Sequence, residues 1–225
     1  MTAKTITVAG ARGGSGTSTV AAALALLIAG HASTELVAAD SGTTAALLGL
    51  ASTQDSSAPI DVALRLALTA ASTGSAEIVV VDAQRLDQLQ KKPDGVLLVV
   101  LRGPCYLGLR TITMSDVRAD GIVLLMEPGR SLTRRDVSAV CDVPVVAEIA
   151  VTANVSRTID AGLLVTRLHR LAEFTALRRY LDRLVAPHGN EAPTPNAAVS
   201  RAHPSYRESA FTIVTDLFVA LSATN

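Results

Sequence analysis

The chain has 225 residues, of which 49% are hydrophobic and only 3% aromatic, and its 20 basic and 20 acidic side chains leave a formal net charge of zero. This length suits one globular domain with an appendage, and the balanced charge excludes a global field that would attract nucleic acid or an acidic membrane. The two cysteines, Cys105 and Cys141, are too few for a disulfide framework and too unpatterned for a metal site. We therefore expect a cytoplasmic protein.

Short runs of β-branched and aliphatic residues alternate with helical patterns up to about residue 150. The runs predict strands over Thr5–Ala9, Leu36–Ala39, Glu77–Val81, Val96–Leu101, Gly121–Met126 and Pro144–Ile149. The patterns predict helices over Ser18–Gly30, Thr43–Leu50, Ile60–Ala70, Pro104–Ser115 and Ser131–Val140, with a loop over 55–59. This alternation predicts an α/β fold with a doubly wound, mostly parallel sheet and ligand chemistry at the carboxyl ends of its strands.

Beyond Ala153 the pattern becomes helical and predicts a C-terminal helical extension. One helix is expected over Asn154–Ala161, followed by a break at Gly162 and a longer helix from Leu163 to about Val185. Residues 188–205 have the composition of a flexible linker, and 206–225 have the pattern of an amphipathic helix. We therefore expect a domain over 1–187, a linker over 188–205 and a C-terminal helix over 206–225.

A glycine-rich segment separates the first predicted strand from the first predicted helix. It reads Gly10-Ala11-Arg12-Gly13-Gly14-Ser15-Gly16-Thr17-Ser18-Thr19. Strand, glycine loop and helix in this order are typical of a phosphate-binding turn, because glycines let the backbone approach a polyphosphate and the first helical amides point at it. In the usual P-loop, G-x-x-x-x-G-K-[ST], a lysine stands where this chain has Thr17, whereas Ser18 keeps the hydroxyl that binds Mg²⁺. The alternative is a glycine-rich turn without a ligand.

The segment from Arg12 to Thr19 resembles the deviant Walker A loop of the ParA/MinD ATPases, K-G-G-x-G-K-[ST]-[ST]. Because Arg12 and Thr17 replace both lysines, the chain is similar to the degenerate CpaE/TadZ-like branch at pilus-assembly and septum-site loci of actinobacteria. The resemblance, over roughly residues 4 to 165, implies a P-loop fold, ATP and Mg²⁺ as ligands of a functional site, and a homodimer. The nucleotide-binding residues that it implies are Gly13, Gly14, Ser15, Gly16, Thr17, Ser18 and Thr19.

Two acidic residues at strand ends extend this resemblance. Asp82 follows the apolar run 78–81 in the Walker B manner, which implies that Asp82 and Ser18 hold the Mg²⁺. Asp40 falls on the second aspartate of the family's D-x-D switch, which implies that it helps to orient the attacking water. Arg12 stands where the family has a residue that reaches the partner subunit's nucleotide, so Arg12 and Asp40 are the catalytic candidates. For Asp40 the alternative is a cap of the helix near Thr43.

The replaced lysine limits the chemistry that this site can perform. Thr17 offers a hydroxyl donor without charge, and the loss of such a group costs about 3 kcal/mol of transition-state stabilisation, or a hundredfold in rate. We therefore expect weak or absent nucleotide binding and at most a very slow ATPase. The strand Ile122–Met126 continues into Glu127 and Pro128 instead of the family's adenine-contacting asparagine, so the resemblance does not extend to base specificity.

The helical extension carries a basic face opposite an apolar stripe. The stripe consists of Leu164, Leu168, Leu171, Leu177, Leu181 and Leu184, and the basic residues are Arg167, Arg170, Arg178, Arg179 and Arg183. Basic C-terminal surfaces hold non-specific DNA in ParA-type proteins, so the resemblance implies a DNA-binding role, with a merely solvated face as the alternative. The terminal helix lacks the basic polar face of a membrane-binding helix. Docking on its own domain or on a partner protomer is favoured over membrane attachment.

These observations together predict a ParA/MinD-like positioning or assembly factor with a degenerate ATP site. It would act as a dimerising scaffold or a weak nucleotide switch that presents a surface to a partner protein. One alternative is an active ParA-type ATPase that partitions DNA or plasmid cargo. The other is a nucleotide-free structural protein that forms a constitutive dimer or filament.

Overall fold

A computed structural model describes residues 3–50 and 60–185 of the chain. In that part, eight strands form one sheet in the order β3-β4-β2-β5-β1-β6-β7-β8. All neighbouring strands are parallel except β3 and β4, which are antiparallel. The strands are β1 Lys4–Gly10, β2 Thr34–Ala38, β3 Ile60–Ala63, β4 Leu66–Thr69, β5 Ile78–Arg85, β6 Val96–Arg102, β7 Gly121–Met126 and β8 Val145–Ala150.

Helices cover both faces of this sheet. They are α1 Thr17–Ala29, α2 Ser41–Leu47, α3 Tyr106–Met114, α4 Arg134–Cys141, α5 Ala153–Asp160, α6 Leu164–Arg167 and α7 Thr175–Val185. The core on one face includes residues of α1, α2 and α5–α7, and the core on the other includes residues of α3 and α4. The run Leu97–Leu101 of β6 is buried throughout, as expected for a strand covered on both faces. The predicted doubly wound α/β fold with a C-terminal helical segment is confirmed.

The helix predicted over Ile60–Ala70 is wrong, because this segment forms the antiparallel hairpin of β3 and β4. Leu66 and Leu68 are buried, whereas Asp61 and Ala63 are exposed, so burial follows the two-residue period of a strand. Ala and Leu are strong helix formers, but here the pairing of β4 with β2 overrides that propensity.

The single helix predicted over Leu163–Val185 is also wrong, although its apolar stripe is buried as expected apart from the half-buried Leu184. After α6 the chain makes two short 3₁₀ turns before α7 begins. Leu168 in the first turn, Phe174 in the second and Leu171 between them are all buried. Leu171 has extended backbone angles, which interrupts the helical path.

The other predicted strands and helices are confirmed with shifts of a few residues at their ends. The loop predicted over 55–59, the linker over 188–205 and the terminal helix over 206–225 lie outside the described residues. Over the described ranges, no helix combines the length and apolar character needed to cross a bilayer.

A buried carboxylate on β2 fixes the loop that leads into β5. Glu35 is only 2% exposed, and it accepts hydrogen bonds from the Ser72 hydroxyl at 2.8 Å, the Thr73 amide at 3.1 Å and the Ser75 hydroxyl at 3.3 Å, as well as from the Thr73 hydroxyl. Burial alone would raise the pKa of Glu35, but these hydrogen bonds outweigh burial and leave that pKa below its usual value.

Candidate functional site

The glycine loop connects the end of β1 to the start of α1. Gly14 and Gly16 have left-handed backbone angles, with φ of 73° and 81°, which side-chain-bearing residues rarely adopt. The hydroxyl of Ser15 donates to the Arg12 carbonyl at 2.6 Å and accepts from the Arg12 amide at 3.0 Å. This double hydrogen bond closes the turn between Arg12 and Ser15, so Ser15 shapes the loop. The resemblance had implied Ser15 as a nucleotide-binding residue at a variable position of the motif, and it gave no sign of this hydrogen-bonded turn.

The outer side of the loop is open, and its inner end is packed. A Cβ atom added at Gly13 or Gly14 would meet nothing within 4 Å, whereas one added at Gly16 would lie 2.7 Å from Leu125 Cδ1 on β7. Gly16 is the N-cap of α1, where no side chain caps the helix and the first turn has no acidic residue. Open backbone at an uncapped helix N-terminus fits an anionic group such as a phosphate.

The side chains after Gly16 lie beside the carboxyl ends of the central strands. Thr17, at the position of the P-loop lysine, is buried, and Ser18 is half-buried. Asp82, which is 6% exposed, pairs in register with Val8 of β1 on one side and with Ala38 of β2 on the other. Asp82 thus lies inside β5, three residues before that strand ends at Arg85, and beside the strand that leads into the glycine loop; its role toward Mg²⁺ stays a prediction.

Asp40 acts as a helix cap in this structure. It is exposed after β2, and its carboxylate accepts from the Thr43 amide at 3.0 Å and from the Thr43 hydroxyl at 2.7 Å. These hydrogen bonds, led by that of the Thr43 hydroxyl, lower the pKa of Asp40. The capping interpretation of Asp40 is therefore confirmed, whereas its role toward an attacking water stays a prediction.

Arg12 is exposed and extends toward the start of α3, where its Nη1 lies 3.7 Å from Cys105 Sγ. Beside it lies an open cleft of about 930 Å³ between the glycine loop, the segment 85–90 and α3. Leu107 and Met114, two lining residues, are 51% and 50% exposed. Arg12 is thus accessible to a second molecule at this cleft, and its catalytic role stays a prediction.

The five arginines of the C-terminal helices differ in their surroundings. Arg178 is half-buried and donates a hydrogen bond to the backbone carbonyl of Leu168, so it braces the connection between α6 and α7. The other four are exposed: Arg167, Arg170, Arg179 and Arg183. Four of the five predicted arginines are therefore accessible to solvent, and their role in DNA binding stays a prediction.

The structure also shows a charged cluster that sequence reasoning missed. Glu127, after β7, accepts from Arg102 Nε at 2.8 Å through Oε1 and from Arg130 Nη2 at 2.7 Å through Oε2. The hydrogen bonds from Arg130 and then Arg102 lower the pKa of Glu127. The only local signal in the sequence was the acidic residue that replaces asparagine after a buried strand, followed by Arg130 three positions later.

No known protein-family model matches the chain, and no curated protein sequence matches it. Solved structures do match. A chain of the MinC:MinD cell division protein complex of Aquifex aeolicus is 15% identical and has a TM-score of 0.65, over 85% of this chain and 98% of its own length. The septum site-determining protein MinD of Pyrococcus horikoshii, complexed with Mg-ADP, is 15% identical with a TM-score of 0.63, over 82% of this chain and 98% of its own.

A ParA family ATPase from Chlorobium tepidum also matches the chain. It is 14% identical and has a TM-score of 0.57, and the match covers 79% of this chain and 98% of the ATPase. These structures share the mostly parallel sheet with helices on both faces, and their low identities limit the likeness to the fold. The chain has the ParA/MinD-like P-loop NTPase fold.

Proposed function

We propose that this protein is a ParA/MinD-like positioning or assembly factor of the degenerate CpaE/TadZ-like kind. It binds nucleotide weakly, hydrolyses it very slowly or not at all, and works as a dimer that presents a surface to a partner protein. The observation that carries the proposal is the glycine loop, which keeps the shape of a phosphate cradle while its lysine position holds the buried Thr17.

The residues around the loop fit a nucleoside polyphosphate with Mg²⁺. The open backbone at Gly13 and Gly14 and the first amides of α1 would hold the phosphates, and Ser18 and Asp82 would hold the metal ion. A bound Mg²⁺ would neutralise part of the phosphate charge. Asp82 serves this role from β5, next to the strand that leads into the loop.

Thr17 explains why binding would be weak. A lysine at this position makes a charge-assisted contact with the phosphates, and hydrogen bonds to charged groups contribute about 1.5–3 kcal/mol each. The loss of that contact corresponds to a decrease in affinity of about ten- to a hundredfold. Arg12 points toward Cys105 and solvent, so its charge is available to a second protomer at the cleft beside α3.

The decisive experiment measures binding of a fluorescent ATP analogue with Mg²⁺, competed by ATP and GTP, with the molar mass recorded by light scattering. We expect weak saturable binding that shifts monomer to dimer, a gain in affinity for Thr17→Lys and a loss for Asp82→Asn. Robust ATP turnover that Asp82→Ala abolishes would favour the active ATPase instead. An absence of binding in both wild type and Thr17→Lys, with a constitutive dimer or filament, would favour the nucleotide-free structural protein.

A second candidate function, non-specific DNA binding, is favoured by the four exposed arginines of the C-terminal helices. Exposed guanidiniums contact phosphates without reading sequence, and such binding weakens with salt. Gel shifts at low and moderate salt would compare wild type with an Arg179→Ala/Arg183→Ala variant, because Arg178 has a structural role. A salt-sensitive shift that this variant loses supports DNA binding, and no shift at low salt rejects it.

A further inference from the structure

The cluster of Arg102, Glu127 and Arg130 lies where β6 and β7 end, at the edge of the sheet where the glycine loop leaves β1. Arg102 pairs in register with Leu125, whose Cδ1 atom would lie 2.7 Å from a Cβ atom on Gly16. The Leu125 carbonyl also accepts a hydrogen bond of 2.7 Å from the Gly103 amide, and a Cβ on Gly103 would clash with the Glu127 carboxylate. Leu125 thus lies between Gly16 at the start of α1 and Gly103, whose Cβ position faces Glu127 and Arg130.

The cluster has an excess of positive charge and stays accessible to solvent. Two guanidiniums share one carboxylate, and the side chains of Arg102, Arg130 and Glu127 are 46%, 47% and 23% exposed. Arg102 contacts Glu127 through Nε, and Arg130 does so through Nε and Nη2, which leaves other N–H donors on both guanidiniums. Exposed ion pairs of this kind contribute little to stability, so an anion of higher charge can replace the carboxylate.

We propose that Arg102 and Arg130 form an anion-binding subsite for the phosphate chain of a nucleoside polyphosphate, and that Glu127 is an internal counter-ion that competes with this ligand. The subsite rests on the proposed function, because it supplies beside the loop the positive charge that Thr17 does not. Binding would transfer the two guanidiniums from the carboxylate to phosphate oxygens, which Arg contacts in a bidentate manner. Nucleotide affinity is then limited both by the missing lysine and by Glu127.

The test compares charge-changing variants by calorimetric titration with inorganic tripolyphosphate and by the fluorescent ATP analogue. Glu127→Gln keeps the size of the side chain and removes its charge, and Arg102→Ala/Arg130→Ala removes the subsite. Glu77→Gln is the matched acidic control, because Glu77 is exposed before the opposite, amino-terminal end of β5. Arg118→Ala is the matched basic control, since Arg118 is exposed before the start of β7 and pairs with Asp142.

We expect Glu127→Gln to bind tripolyphosphate about tenfold more tightly than wild type, in line with the loss of one charge-assisted competitor. The double arginine variant should bind tripolyphosphate at least about tenfold more weakly than Glu127→Gln, and the affinities of the two control variants should stay within about twofold of wild type. The gain in affinity of Glu127→Gln should shrink as the salt concentration rises. Unchanged or weaker binding by a folded Glu127→Gln protein would overturn the proposal and identify the cluster as a brace between β6 and β7.

Failure of this proposal can be distinguished from failure of the proposed function. If the ATP analogue binds wild type and Glu127→Gln with equal affinity, the subsite is rejected, whereas nucleotide binding at the glycine loop is retained. If neither wild type, Glu127→Gln nor Thr17→Lys binds the analogue or tripolyphosphate, both proposals are rejected. Urea unfolding of each variant establishes that it is folded before its affinity is compared.

Discussion

Three positions in the glycine loop provide a graded test of its geometry, because alanine meets no obstacle at Gly13, one at Gly14 and two at Gly16. Gly13 has no left-handed backbone angle and no atom near its Cβ position, so Gly13→Ala should change stability by less than about 0.5 kcal/mol. Gly14 has a φ of 73° in open space, so Gly14→Ala should cost about 1–2 kcal/mol for the left-handed conformation alone.

Gly16 combines both obstacles, with a φ of 81° and Leu125 Cδ1 at 2.7 Å from the added Cβ atom. The methyl group can displace the end of the leucine side chain, and such overpacking adds about 1 kcal/mol. Gly16→Ala should therefore cost about 2–3 kcal/mol in total, which corresponds to a decrease in Tm of about 2–4 °C for each kcal/mol in a chain of this size. Urea unfolding and thermal unfolding would measure all three variants.

Nucleotide-binding measurements test whether the loop approaches a phosphate, which stability measurements alone do not report. If the backbone at Gly13 approaches a phosphate, Gly13→Ala should weaken binding of the fluorescent ATP analogue while leaving Tm unchanged. An equal loss of stability in Gly14→Ala and Gly16→Ala would refute the argument about Leu125. A Gly13→Ala variant that binds the nucleotide as well as wild type would refute the argument about close backbone approach.

Three further predictions concern residues outside the loop. Glu35→Gln should lower the free energy of unfolding by about 1–2 kcal/mol at pH 7. The ionised carboxylate stabilises the fold, so this difference should shrink as the pH falls below 4.5 and disappear once the pH passes the lowered folded-state pKa of Glu35. Urea unfolding at a series of pH values would measure it. Mass spectrometry after brief alkylation at pH 8 should find one adduct, on Cys105, since burial raises the pKa of Cys141 to about 12; two rapid adducts in the folded protein would contradict this. Arg178→Ala should destabilise by about 1–2 kcal/mol and Arg179→Ala by less than about 0.5 kcal/mol, as thermal unfolding would show, and equal effects would argue against the brace.

The sheet could be predicted from the sequence because its central strands carry strong local signals. The buried runs of β6 and β7 admit no polar residue until their ends, and the glycine loop marks the transition from β1 to α1. The segment 60–70 was mispredicted because its Ala and Leu content favours a helix locally. What decides its structure is pairing with β2, a strand more than twenty residues away.

The site was only partly predictable for a related physical reason. The positions of Asp82 and the glycine loop follow from strand topology, which alternating patterns reveal. The contact of Arg102 at the end of β6 with Glu127 just after β7 joins residues 25 positions apart, so no local pattern indicates it. The brace by Ser15 was equally hidden, because a hydroxyl bonded to the backbone within its own turn looks like any polar loop residue.

The shape of the cradle and its charge have separate structural origins in this chain. The shape depends on the Ser15 brace, the left-handed glycines and the contact with Leu125, none of which requires a lysine. A loop can therefore keep its geometry after the lysine is lost, whereas hydrolysis loses the charge that stabilises the transferring phosphoryl group. In the proposed subsite, arginines beside the loop would restore ground-state affinity more readily than rate, because only contacts that strengthen in the transition state accelerate the reaction. Under the proposed function, the protein would sense a nucleotide by binding it without having to hydrolyse it quickly.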